Sequence, residues 1–406
     1  MSASTLKLAF RNLPRHRTRT LISLAAVGFG VVALLIAGGF VEWIFWATRE
    51  AAIQTGLGHI QVSRPGYHDH GYTDPGAFEL PGNDPALAIL RGAPNVTAVD
   101  QRLVVSGLAS SGDTSVPFAG VAVDAVADKS LSRVLEVSGN RLDASAPNGV
   151  LLGRGLAKAL SVSVGDPVSF IVSLPGGGIN AVEGRVRGIF STQVKAYDDT
   201  AVRLPIALAR TLLRTKGSHT WVVGLADTGD TAATLAYLKA RLPADRFELY
   251  TWYDLSDFYR KAVVLLSHQI TVVGLMIAAM IVLGISNTQT MNVLERTGEI
   301  GTLLAMGTRR AVILRLFVYE GLLMGIVGGI GGLIVGVALA QVLSYVGIPM
   351  PPPPGRDSGY SAEIILTPLL LTSGIAMAVV STVLASLYPS WKAARMPIVD
   401  ALRHNR

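Results

Sequence analysis

Four long apolar runs interrupt a chain that elsewhere alternates apolar and polar positions over short stretches. The first is uncharged from Leu21 to Phe40; about 20 helical residues rise ~30 Å, the depth of a bilayer core. Glu42 ends it, and Trp43 and Trp46 suit the far interface, where amphipathic rings settle. A transmembrane helix is therefore predicted over 21–46, and the same criterion predicts spans over 261–288, 312–346 and 364–388. Tyr388-Pro389 should close the last, because the residue before a proline is driven out of helical conformation. Between the first two spans the period shortens. His59–Ser63, Leu103–Leu108, Val116–Val123, Gly149–Gly153, Val168–Val172, Ala181–Phe190 and Thr200–Leu204 read as strands. Pro85–Arg91, Leu156–Leu160 and Asp230–Leu242 carry helical spacing. The predicted fold is an α-helical membrane protein of four transmembrane helices with a large mixed α+β ectodomain, 47–260. Two lobes are expected in it, one from 47–148 with 217–260 and one, 149–216, inserted between them. Residues 1–20 predict an amphipathic surface helix, 289–311 a short connecting helix and loop, 347–363 a proline-rich loop, and 389–406 a basic tail.

Charge decides orientation. Half of the residues are hydrophobic and 16% are charged, a membrane-protein balance. The segments 1–20, 289–315 and 389–406 hold 13 Lys/Arg against three acids, whereas 47–261 holds 21 of each. The positive excess marks the short segments and both termini as cytoplasmic and puts the large domain outside. The net charge of +7 thus reports topology and not nucleic-acid binding. With no cysteine, disulfides and thiolate chemistry are excluded. The first apolar run is too long for a cleaved signal and lacks a small-residue cleavage site.

No enzymatic motif emerges. There is no G-x-x-x-x-G-K-[ST] loop, no H-E-x-x-H, and no G-x-S-x-G in a strand–turn–helix context. His59, His68 and His70 beside Asp69 and Asp74 have ligand chemistry, but equally the composition of a polar loop, so no metal is assigned. Glu320 falls inside the third apolar run, where an ionisable group has a reason: a substrate or proton role, or pairing with Arg315 or a neighbouring chain. Gly321, Gly325, Gly329 and Gly328, Gly332, Gly336 form two small-residue rows that permit close helix approach, within the chain or between chains. Phe40, Trp43, Trp46, Phe258, Tyr259 and Val263 lie at the outer ends of the first two spans, as interfacial anchors or as a substrate entry.

The segment between the second and third spans is the least ordinary. Glu295 and Glu299 stand at i,i+4 around Arg296; Gly301 follows, and Ile300, Leu303, Leu304 and Met306 recur at helical spacing. Gly307 then stops the helix and Arg309-Arg310 opens the next. Arg296-Thr297-Gly298-Glu299-Ile300-Gly301 through Met306-Gly307-Thr308-Arg309-Arg310 to Glu320-Gly321 resembles the FtsX-domain signature of MacB/Lol-type (type VII) ABC transporter permeases. Leu8–Leu13 with Arg17, Arg19 and Thr20 is similar to the family's N-terminal helix, and Tyr388–Arg395 with Pro397 and Ala401–Arg403 to its ending. Gly58–Val62, Gly149–Gly153 and Gly188–Thr192 are similar to lipoprotein-releasing permeases. The resemblance implies a non-catalytic subunit of the bacterial inner membrane with a periplasmic ectodomain. It implies two copies of a cytoplasmic ATPase that bind ATP and Mg, and a second permease copy or paralogue. A periplasmic adaptor or carrier and membrane lipid are further expected partners. The cytoplasmic helix would couple ATPase motion to the ectodomain and so lift a lipoprotein, lipid or other amphiphile from the membrane. An FtsX-like regulator that activates a periplasmic enzyme is the alternative; an ectodomain of about 214 residues favours transport.

Overall fold

A computed structural model describes residues 17–71, 74–132, 135–174, 177–192, 195–351 and 360–397. Most of the predicted surface helix at 1–20, Pro352–Pro354 of the proline-rich loop and the end of the basic tail lie outside those residues. The chain divides into a helical unit and an α/β unit, the latter mainly Ala47–Lys261.

Helix α1, Arg17–Ala52, has neither proline nor charge between Leu21 and Val41, and the strong helix formers of Ala47–Ala52 carry it past the predicted end. A π-helical turn, Ile53–Leu57, follows and stops at Gly58. Gly58 has φ +63°, and a side chain there would collide with Val222; only glycine fits both demands.

Ten strands then build the α/β unit: β1 (Ile60–Ser63), β2 (Val96–Ser111), β3 (Thr114–Val123), β4 (Glu136–Gly139), β5 (Gly149–Gly153), β6 (Pro167–Ser173), β7 (Ile179–Ser191), β8 (Ala201–Pro205), β9 (Thr220–Leu225) and β10 (Glu248–Thr251). The order is β10-β1-β9-β2-β3-β8-β5-β7-β4, and β6 joins β7 back to β2. Strands β2, β3, β8, β5, β7 and β6 therefore close a ring, which leaves those strands few free edges. Helices α2 (Ala86–Arg91), α3 (Ala125–Leu131), α4 (Arg154–Leu160), α5 (Ile206–Leu213) and α6 (Thr231–Lys239) lie between the strands in sequence.

A small cluster around Leu142, Leu151 and Phe190 and two large hydrophobic cores result. Ile60, Val62, Leu90, Trp221, Val223 and Leu238 form one, and Leu103, Phe118, Leu152, Phe170, Val186 and Leu204 the other. Their division corrects the predicted lobe boundary. The upstream half of β2 pairs with β9, whereas Leu103–Ser111 pairs with β3 and Leu108–Ser110 with β6, so 103–123 packs with 149–216 and not with 47–99. One unbroken strand serves both cores, and no turn signal in the sequence marks where it passes between them.

Buried histidines lock this unit. The ring nitrogen Nδ1 of His59 accepts the Leu225 amide at 3.1 Å, and that of His219 accepts the Val104 amide at 3.0 Å. Burial pushes both imidazoles below their ordinary range; at His59, Arg49 adds to this, and Glu50 and Asp227 oppose it. Both bonds need Nδ1 unprotonated. As pH falls through the ordinary histidine range the unfolded chain takes up protons that the folded one refuses, so stability is lost. The midpoint of thermal unfolding of the full chain in detergent should drop between about pH 7.5 and about pH 5.5. Combined His59→Asn and His219→Asn changes should flatten that slope; an unaltered slope would remove these histidines from its cause.

The helical unit is completed by α7 (Asp257–Glu295), α8 (Thr297–Ala305), α9 (Arg310–Val346) and α10 (Pro368–Ala394). Among the described residues four helices, α1, α7, α9 and α10, are long and apolar enough to cross a membrane. Val27, Val31 and Leu35 of α1 meet Ile281 and Ile285 of α7, Met324 of α9, and Ala378 and Ala385 of α10. Pro389 does not end the last helix as predicted: α10 runs through it to Ala394. Ser390, Ala393 and Ala394 beyond the proline are buried, so packing holds a turn that local propensity would break.

Candidate functional site

The predicted single helix around Glu295 and Glu299 is instead a corner. Helix α7 ends at Glu295, and Arg296 leaves helical geometry at φ −102°, ψ 18°. Thr297 then reaches back, its hydroxyl donating to the Leu294 carbonyl at 2.7 Å and so satisfying an orphan acceptor at the end of α7. The two glutamates consequently belong to different helices. Glu295 meets Arg19 of α1 at 2.8 Å.

Thr297, Ile300, Gly301 and Leu304 recur at i, i+3, i+4 and i+7, and all four are buried. Ile300 and Leu304 pack with Val293 of α7, Ile313 and Phe317 of α9, and Ala393 of α10. Leu303 is half-buried, and Met306 is 71% exposed. It stands two residues beyond Leu304, roughly 200° around the helix axis, off the buried stripe. The other face presents Glu299, Thr302, Ala305 and Met306 to the surroundings. At the end, the Thr308 amide donates to Leu303 and the Gly307 amide to Leu304, with Gly307 at φ +87°. These are the two bonds of a Schellman cap, which reverses the chain sharply. Arg309 and Arg310, both exposed, start α9.

Arg296 ties the corner together. Its Nη1 lies 3.0 Å from Glu320 Oε1, its Nε 3.3 Å from Glu299 Oε2, and its guanidinium stands over the Phe317 ring at 5.6 Å. Glu320 is 4% exposed and pairs with Arg296, while the expected partner Arg315 is exposed. One guanidinium thus joins the end of α7, the first turn of α8 and the early turns of α9. Nothing local announces a pair 24 residues apart, and Arg19, Thr297 and Phe317 likewise escape a reading by spacing.

The glycine rows separate cleanly. A methyl group at Gly321 would stand 2.7 Å from Ser386, and one at Gly329 3.3 Å from Ala378, so that row lies against α10. One at Gly328 would stand 2.9 Å from Val27, at Gly332 2.6 Å from the Gly28 carbonyl, and at Gly336 2.8 Å from Leu35, so this row lies against α1. Gly325 would meet Thr382. Both rows are used within the chain.

The aromatic set is divided. Phe40 stacks on Trp43, which is buried, and Trp46 is exposed. Tyr259 packs edge-on to Trp252 and Tyr253, Phe258 is exposed, and Val263 is half-buried. Phe40, Trp43, Trp46 and Val263 belong to the helical unit, and Phe258 and Tyr259 to the α/β unit. Among the described residues no three His, Asp or Glu side chains gather as a metal site.

Residues 20–241 match the MacB-like periplasmic core domain, and residues 271–398 the FtsX-like permease C-terminal domain. The chain is 26% identical over 283 residues to the lipoprotein-releasing system transmembrane protein LolC of Xylella fastidiosa, covering 63% of this chain and 64% of that one. It is 24% identical to LolC of Neisseria meningitidis over 420 residues, covering 95% and 94%. It is 28% identical over 417 residues to the macrolide export ATP-binding/permease protein MacB of Rhodospirillum rubrum, covering 98% of this chain and 60% of that one. The match thus spans less than two thirds of the Xylella and Rhodospirillum relatives.

Proposed function

Because this chain belongs to the MacB/LolC family of ABC transporter permeases, we propose that it is a non-catalytic subunit that converts the motion of a separate ATPase into movement of its ectodomain. The observation that carries this is helix α8. It joins two membrane-length helices, buries one face against α7, α9 and α10, and exposes Glu299, Thr302, Ala305 and Met306 on the other. A helix anchored this way passes a push to the bundle instead of absorbing it, which is what coupling by a rigid element requires.

The positive excess on 289–315 and the terminal segments supports a cytoplasmic α8 and an α/β unit on the far side, in this reading the periplasm beyond a bacterial inner membrane. ATP and Mg are assigned to two ATPase copies. A second permease copy or paralogue completes the membrane part. Helix α7 supports this: only 11% of its most apolar window is covered within the chain, against 33–39% for the other three. Relatives named for lipoprotein release and macrolide export point to an amphiphilic cargo. Phe40, Trp43, Trp46 and Val263 of the helical unit are the proposed entry, and a periplasmic carrier or adaptor receives the cargo.

Combined Glu299→Ala and Met306→Ala changes alter the exposed face of α8 and, of its printed ties, remove the one between Glu299 and Arg296. In the complex purified with the neighbouring ATPase, they should abolish stimulation of ATP turnover by the permease while the chain stays folded. Unchanged stimulation and assembly would exclude α8 as the coupling element.

A further inference from the structure

The end of α1 is held in an unusual way. A helix leaves its last carbonyls without intrahelical donors, and they carry the negative end of the helix dipole. Here three consecutive carbonyls, those of Thr55, Gly56 and Leu57, each receive a side-chain donor from a different strand. Arg203 of β8 donates through Nη2 to Thr55 at 2.7 Å, Arg102 of β2 donates through Nη1 to Gly56, and Gln61 of β1 donates to Leu57 at 3.0 Å.

Both arginines are buried and held by their own carboxylates. Arg102 Nε lies 2.7 Å from Asp100, whose other oxygen accepts the Asp124 amide at 2.8 Å. Arg203 Nη1 lies 2.5 Å from Asp128 and 2.7 Å from the Ser132 hydroxyl. Burying such pairs is costly, and a helix end can be capped by one glycine and water. Their geometry gives something a glycine cap does not: fixed guanidinium forks from strands that serve both hydrophobic cores. A second tie lies one turn earlier, where Glu50 meets Thr228 at 3.4 Å, and Thr228 meets His59 at 3.2 Å.

We infer that Arg102, Arg203 and Gln61 are positioning residues that clamp the end of α1 to both cores, so that displacement of α1 carries the ectodomain as one body without bending at 53–58. This rests on the reading that the ATPase drives the membrane helices. It makes a rigid joint of a site that, as a π-helical turn ending in glycine, has the local conformation of a hinge.

The chain contains no cysteine, so label pairs can be introduced freely. In the full permease–ATPase complex, spin labels at Thr48→Cys and Val126→Cys report the joint, and a label at Asp113→Cys on both permease copies reports ectodomain movement. The joint distance should be narrow and the same in the nucleotide-free and vanadate-trapped states. Arg102→Met with Asp100→Asn, and Arg203→Met with Asp128→Asn, remove the donors without leaving a buried lone charge. Each pair should broaden the joint distribution and abolish the nucleotide-dependent change at Asp113, with Gln61→Leu, the mildest change, showing a smaller broadening. A joint that stays narrow in all three variants, or full movement at Asp113 despite a broadened joint, would overturn the clamp. A narrow wild-type joint that broadens in the variants, with no nucleotide-dependent movement at Asp113 in the wild type, would uphold the clamp and sink the drive reading instead.

Discussion

Gly332→Leu is expected to prevent assembly of the helical unit. A side chain at Gly332 would begin 2.6 Å from the Gly28 carbonyl oxygen and 2.8 Å from its Cα. Both are backbone atoms, so neither can rotate aside, and the two helices must part along the whole Gly328–Gly332–Gly336 row. Overpacking of a soluble core costs about 1–3 kcal/mol. In lipid the penalty is more damaging, because helix association there is driven by close packing and not by exclusion of water. Gly331→Ala is the matched control: nothing stands within 4 Å of its side-chain position. The yield of monodisperse protein in detergent should collapse for Gly332→Leu and stay at the wild-type level for Gly331→Ala. Recovery of Gly332→Leu with an unchanged unfolding temperature would show that α1 and α9 do not depend on this contact.

Arg296→Ala carries the second large effect. It breaks the 3.0 Å pair that Arg296 makes with Glu320, 4% exposed, and breaking a buried pair costs about 3–5 kcal/mol. It also removes the guanidinium's contacts with Glu299 in the first turn of α8 and with the Phe317 ring. Loss of stability and loss of permease-stimulated ATP turnover should appear together. Arg296→Met combined with Glu320→Leu separates them, since neither half of that pair is then left behind. Most of the stability should return, while stimulation stays low because the tie between corner and α9 is gone. If the double change restored turnover fully, Arg296 would be a structural residue and not part of the coupling corner. Thermal unfolding in detergent and turnover by the co-purified ATPase are the two measurements.

Much of the corner is legible in the order of its residues. Gly307 is the residue whose left-handed backbone closes a short helix, and Ile300 and Leu304 at i,i+4 predict its buried face. Met306 misleads because it is apolar and close by, yet off the stripe. Glu320 invites a search among its neighbours, and its partner stands across the loop. Pro389 is a sound stop signal by local rules and is overridden because the turn after it is buried. The end of α1 hides its clamp for a related reason: Arg102 and Arg203 look like ordinary strand cations until strand order brings them to adjacent carbonyls.

By itself the sequence determined the features that depend on neighbours along the chain. These are four helices of membrane-crossing length from apolar runs, most strands from alternation, and the α8 reversal from a single glycine. Tertiary structure alone decided whatever depends on which surfaces meet. It assigned one glycine row to α1 and the other to α10, gave Glu320 to Arg296, and divided β2 between two cores. The physical reason is that helix periodicity and hydropathy are local and repeat within a few residues. A buried ion pair or a close backbone contact, by contrast, gains its energy from a partner whose sequence separation carries no signal.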